Sequence, residues 1–74
     1  MSRPCKLQIN TKGAWRDALS FDIDQVDAEA LQVAAANLLV IADPLGRTTL
    51  RIVMADGLQT ALLHWTAAKG WVEA

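Results

Sequence analysis

The sequence predicts a small α+β domain of order ββαββ with a short fifth strand, a small antiparallel sheet built from hairpins with one helix packed across one face. Three observations predict it. A turn grammar occurs twice, Asn10-Thr11-Lys12-Gly13 ahead of Trp15 and Thr66-Ala67-Ala68-Lys69-Gly70 ahead of Trp71, each between apolar, β-leaning runs. Polar turn formers with a late glycine are expected where a type I turn hands over to a glycine at positive φ and closes a hairpin. The run from about Gln25 to Ala42 contains neither glycine nor proline, is rich in Ala and Leu, and is stopped by Asp43-Pro44-Leu45-Gly46, as a helix is. Finally, Asp56-Gly57 follows an alternating apolar segment, and that dipeptide is among the strongest short hairpin signals.

Leu7 and Ile9 alternate with Lys6, Gln8 and Asn10 and define the first strand. After the turn, Trp15, Asp17, Leu19, Phe21 and Ile23 share one side, with Arg16, Ala18, Ser20 and Asp22 on the other. The first side is read as core. Asp17 is its odd member and is placed near an edge that water reaches, because a buried carboxylate without a partner is costly.

In the helix, 100° per residue puts Leu31, Ala34, Ala35, Leu38, Ile41 and Ala42 in one stripe facing the sheet, with Gln25, Glu29 and Gln32 opposite. The polar face fails toward the C-terminal end, where Ala36, Leu39 and Val40 should continue it and Val33 lies on the flank. A helix apolar nearly all round is buried on two sides. Val33, Ala36, Leu39 and Val40 are therefore the candidate interface.

Thr48 to Ala55 makes the third strand, with Leu50, Ile52 and Met54 toward the helix and Thr49, Arg51 and Val53 outside. Leu58 to Lys69 reads either as a helix, with Leu58, Ala61, Leu62 and Trp65 on one face, or as a strand. The strand is preferred because Asp56-Gly57 requires a return partner. The Gly70-Trp71 turn then closes a last hairpin with Val72. The whole chain, 1–74, forms one domain, with residues 1–5 expected to be a mobile terminus.

Composition narrows the chemistry. Hydrophobic residues make up 53% of the chain and charged residues 20%, low for a soluble domain. Net charge is −1 and the pI is about 5.6, so the chain lacks the overall positive charge that drives general binding to nucleic acid or anionic membrane. One cysteine and one histidine exclude an internal disulfide and a zinc site built by one chain. No signal peptide is visible, and the longest largely apolar run, Val33 to Ala42 with Asn37 inside it, is too short to span a bilayer. With its single cysteine, the chain is expected in the cytoplasm and not on a membrane.

Asp22, Asp24 and Asp27 form a D-x-D-x-x-D cluster that either gathers a hard cation or starts the helix. Helix initiation is preferred, since no glycine-bearing calcium loop follows, and neither metal nor cofactor is expected. His64 and Cys5 are the only near-neutral base and thiol, almost sixty residues apart, and no phosphate loop, dinucleotide fingerprint or nucleophile elbow occurs. Enzyme activity is not expected. In brevity the chain resembles short bacterial proteins, a likeness that carries over no catalytic or binding residue.

Two functions follow as expectations. The leading one is a protein-interaction module acting as a homodimer or complex subunit, because a core of this size supplies only about 3–5 kcal/mol without a staple. The alternative is a nucleic-acid-binding module whose open sheet face carries Arg16, Arg51, His64 and an exposed tryptophan, Trp65 being the candidate, beside Gln8 and Asn10. At least two of Trp15, Trp65 and Trp71 are expected to pack inside with each indole N–H on an acceptor.

Overall fold

The computed structural model describes residues 3–74. Strands β1 (Pro4–Thr11), β2 (Ala14–Asp22), β3 (Thr49–Met54), β4 (Ala61–Thr66) and β5 (Gly70–Glu73) form one antiparallel sheet in the order β2-β1-β3-β4-β5. The single helix among the described residues, α1 (Ala28–Ala42), lies between β2 and β3 in the chain. This is the predicted small α+β fold. Both β2 and β3 run antiparallel to β1 and hence parallel to each other. Parallel strands require a crossover connection, and α1 is that crossover.

The core lies between α1 and one sheet face, where Cys5, Leu7, Leu39, Leu50, Ile52 and Trp65 form one buried cluster. Phe21, Ile23, Ala35, Ala36 and Trp71 pack around it. Cys5 corrects the expectation of a mobile terminus through residue 5. It is a buried β1 residue between Phe21 and Met54, and burial pushes its thiol pKa up. Arg3 is tied down as well, accepting at its carbonyl from the Ile23 N–H at 3.2 Å. The rest of that expectation, Met1 and Ser2, lies outside the described residues.

Both predicted turn glycines take positive φ, 83° at Gly13 and 71° at Gly70. At Gly70 the rest of the turn agrees too, with Thr66 opposite Gly70 and the Lys69 N–H donating to Thr66 Oγ1 at 3.2 Å. The first turn is tighter than expected. Thr11 pairs directly with Ala14, and Lys12 joins Gly13 at positive φ (56°), the type I′ geometry whose twist matches a two-residue hairpin. Asp56-Gly57 opens a longer loop, in which Asp56 Oδ1 accepts the Leu58 N–H at 3.1 Å and Gln59 takes φ 49°. The ambiguous segment is strand β4, as preferred.

Two expectations about facing are corrected. In β2, Leu19 pairs with Leu7 but Asp17 pairs with Gln8, so Ala18 is an extra residue, a β-bulge. A bulge reverses the alternation, so Phe21 packs on the core while Asp17 and Trp15 belong to the opposite face. In α1, Leu39 is buried and Ala36 is half-buried against the core, whereas Leu38 and Ile41, predicted inward, are 65% and 80% exposed. The helix is rotated by about a quarter turn from the predicted stripe. Its apolar periodicity favours no single face, and the choice is made by tertiary bonds. Trp71 Nε1–H donates to the Gln32 carbonyl at 2.8 Å, drawing that side of α1 onto β5.

The helix ends are set locally. Asp27 is the N-cap, its Oδ1 accepting the Ala30 N–H at 3.1 Å, so α1 starts later than Gln25. Asp43 closes the other end. Its N–H donates to the Leu39 carbonyl at 2.8 Å, and its Oδ2 accepts the Thr48 N–H at 2.6 Å, which directs the chain into β3.

Candidate functional site

Two surfaces stand out, the outer face of α1 and the sheet face that the helix leaves open. On the outer helix face, Val33 is 59% exposed and Val40 60%, beside Leu38 and Ile41. Leu45, just past the helix, is exposed too. No charged residue occurs from Ala30 to Ala42. Of the four candidate interface residues, the structure leaves Val33 and Val40 outside and places Leu39 and Ala36 toward the sheet. Leu38 and Ile41 take their places, and the quarter-turn rotation accounts for the exchange.

The open sheet face carries a polar network centred on Gln8, which is only 3% exposed. Its Oε1 accepts from Arg51 Nε at 2.7 Å, and its Nε2 donates to Asp17 Oδ1 at 2.7 Å and to Gln59 Oε1 at 3.4 Å. Lys6 Nζ lies 3.3 Å from Asp17 Oδ2. The Gln8 hydrogen bond, aided by Lys6, holds the Asp17 carboxyl below the usual carboxylate range. The Arg51 guanidinium carbon lies 4.2 Å from the centroid of the Trp15 ring, a cation–π contact. His64 meets Trp15 edge-on with ring centroids 6.0 Å apart.

Of the predicted open-face residues, Arg51 and His64 are cross-strand neighbours there. Arg16 is not among them, since it pairs with Ile9 on the helix side, and Trp65 is buried in the core. Trp15 is the tryptophan of this face. Its only advance signal was the misfit of Asp17 on an otherwise apolar strand side.

The remaining candidates separate. Arg3 pairs with Asp24 at 2.8 Å and holds that carboxyl low. Asp22 Oδ1 accepts the Asp24 N–H at 2.9 Å, and Asp27 caps the helix. Among the described residues no three His, Cys, Asp or Glu side chains gather to hold a metal ion. Cys5 belongs to the core and His64 to the open face, so they do not form a catalytic pair.

The fold and these surfaces define a small α+β chain whose helix is uncharged from Ala30 onward and exposes Val33, Leu38, Val40 and Ile41. Compared with known protein families, characterised proteins and solved structures, the chain matches none.

Proposed function

We propose that the chain is a small protein-interaction module that self-associates through the outer face of α1. The observation that carries this reading is the exposure of Val33, Leu38, Val40 and Ile41 on the outer side of α1, along a stretch from Ala30 to Ala42 that holds no charged residue. A contiguous patch of this kind marks interaction sites on soluble proteins. Size supports it as well. A chain of 74 residues with one cysteine has no internal disulfide to supplement a modest core, and an isologous contact lets one patch serve both subunits. No helix among the described residues is long and apolar enough to cross a membrane, and the buried, unpaired Cys5 suits a reducing compartment such as the cytoplasm. Sedimentation equilibrium from low to high micromolar concentration tests the reading. The expected result is a dimer that Val40→Lys dissociates, and a wild-type monomer at high micromolar concentration overturns it.

The Arg51–Trp15 stack favours a second reading, a site for single-stranded nucleic acid on the open face. It is the weaker one, because Asp17 belongs to the same network, Arg16 lies on the other side and the net charge is −1. Binding of an oligonucleotide that weakens steeply with salt and is lost in Arg51→Ala would support it.

A further inference from the structure

We infer that the partner on the outer helix face is a second copy of this chain docked antiparallel, α1 against α1, with the two-fold axis at Asn37 and the two Asn37 amides hydrogen-bonded to each other. This rests on the self-association reading above. The observation behind it is the position of Asn37. It is exposed, and the residues three and four positions away on either side, its neighbours on the helix surface, are Val33, Ala34, Val40 and Ile41. One amide therefore occupies the middle of an apolar face.

Covering that face with an apolar partner would strand the amide at a cost of about 1–3 kcal/mol. An amide carries both donors and an acceptor, so the partner that satisfies it most simply is another amide. Two-fold symmetry supplies one, because only residues at the axis meet their own copies. A single asparagine in an apolar helix seam fixes register and partner number in this way elsewhere.

Charge selects the direction. A parallel pair would align the two helix dipoles and bring Asp27, Glu29 and the C-cap Asp43 each against its own copy. The antiparallel pair opposes the dipoles and carries each acidic N-terminal end toward the partner's C-terminal end, where Arg47 follows the C-cap Asp43. About Asn37 as centre, Val33 comes opposite Ile41 and the small Ala34 opposite Val40, so that large and small side chains alternate along part of the seam.

The test compares cysteine cross-linking of Asn37→Cys and Ala30→Cys under a mild oxidant, beside the sedimentation of the wild type. A disulfide needs Cα atoms within about 7 Å. Residue 30 is seven residues from the axis, so its two copies lie roughly 20 Å apart in the antiparallel pair. The expected result is a covalent dimer from Asn37→Cys and none from Ala30→Cys. A dimeric wild type in which Ala30→Cys links to itself, or Asn37→Cys associates without linking, overturns the antiparallel arrangement and leaves self-association standing. A monomeric wild type overturns both. Should Asn37→Cys fail to fold or associate, Asn37→Asp decides. Two carboxylates at one axis repel, so the dimer should weaken about tenfold or more at pH 7 and recover on acidification. An unchanged dissociation constant at pH 7 overturns the inference.

Discussion

Replacing Ile41 by lysine separates a free helix face from a covered one by the sign of the effect. In an isolated chain Ile41 is 80% exposed, so only a fifth of its transfer free energy is at stake, roughly 0.3–0.6 kcal/mol of the 1.5–3 kcal/mol for full burial. Against that loss stands a gain. The last turn of α1 has no basic residue, and a lysine there interacts favourably with the negative end of the helix by about 0.3–1 kcal/mol. The monomer should therefore be unchanged or slightly more stable. In a dimer that covers Ile41, the remaining four-fifths is lost on both chains, roughly 2.5–5 kcal/mol per dimer, and each ammonium must also be desolvated or excluded. That corresponds to a dissociation constant raised at least about 60-fold. The assay is thermal melting at two concentrations a hundredfold apart, with sedimentation at the higher one. Wild type should melt higher when concentrated, and Ile41→Lys should melt at one temperature throughout. If both proteins melt alike at both concentrations, the outer helix face is uncovered and the reasoning fails.

Four further outcomes are expected. Gln8→Leu removes the buried acceptor of Arg51 and should cost about 1–3 kcal/mol in urea titrations, with a change in Trp15 fluorescence as the guanidinium is released. Gly70→Val should cost about 1–2 kcal/mol by strain alone, since a Cβ at Gly70 meets nothing within 4 Å while φ is 71°; a chevron plot would read it. Trp71→Phe keeps most of the apolar contact but loses the bond to the Gln32 carbonyl, so a loss of about 0.5–1.5 kcal/mol and faster amide exchange in α1 are expected. Asp17, Asp24 and Asp43 all have carboxyls held below their ordinary range, by Gln8, Arg3 and Thr48 respectively. Folded values below unfolded ones mean stability that is present above the unfolded value, about 3.9, and is lost as pH falls through the folded values. Melting temperature should drop below about pH 4, and the drop should be smaller in Asp43→Asn.

Element order was legible because it depends on local chemistry. Gly13 and Gly70 mark turns through a conformation that other residues avoid, and Asp27 and Asp43 end a helix with short side chains that reach backbone N–H groups. Those signals act within a few residues and survive in the sequence alone. Facing is decided at longer range. The bulge at Ala18 arises from pairing with β1, and nothing about an alanine announces an extra residue, so Trp15 was assigned to the wrong side. The rotation of α1 was hidden for a related reason. With Leu38, Leu39, Val40 and Ile41 in succession, hydrophobicity does not choose a side, and the bond from Trp71 to Gln32 crosses thirty-nine positions. On the open face, Gln8 and Arg51 were found because side chains alternate regularly along β1 and β3, and His64 because it lies opposite Arg51, on the regular side of the register shift between Ile52 and Val53.

The bulge at Ala18 has a further effect at the rim of the sheet. Strand β2 is an edge of nine residues, long enough for its outward backbone groups to recruit a strand from another molecule. An extra residue near its middle kinks that row, so an incoming strand can form a regular ladder with only half of it. The opposite edge, β5, has four residues and ends in Glu73, too short and too charged to serve as a template. Open-ended stacking of sheets into fibres is thereby discouraged at both margins, and in a chain with more than half of its residues hydrophobic the exposed Val33, Leu38, Val40 and Ile41 stand on a helix, which offers no strand edge to extend.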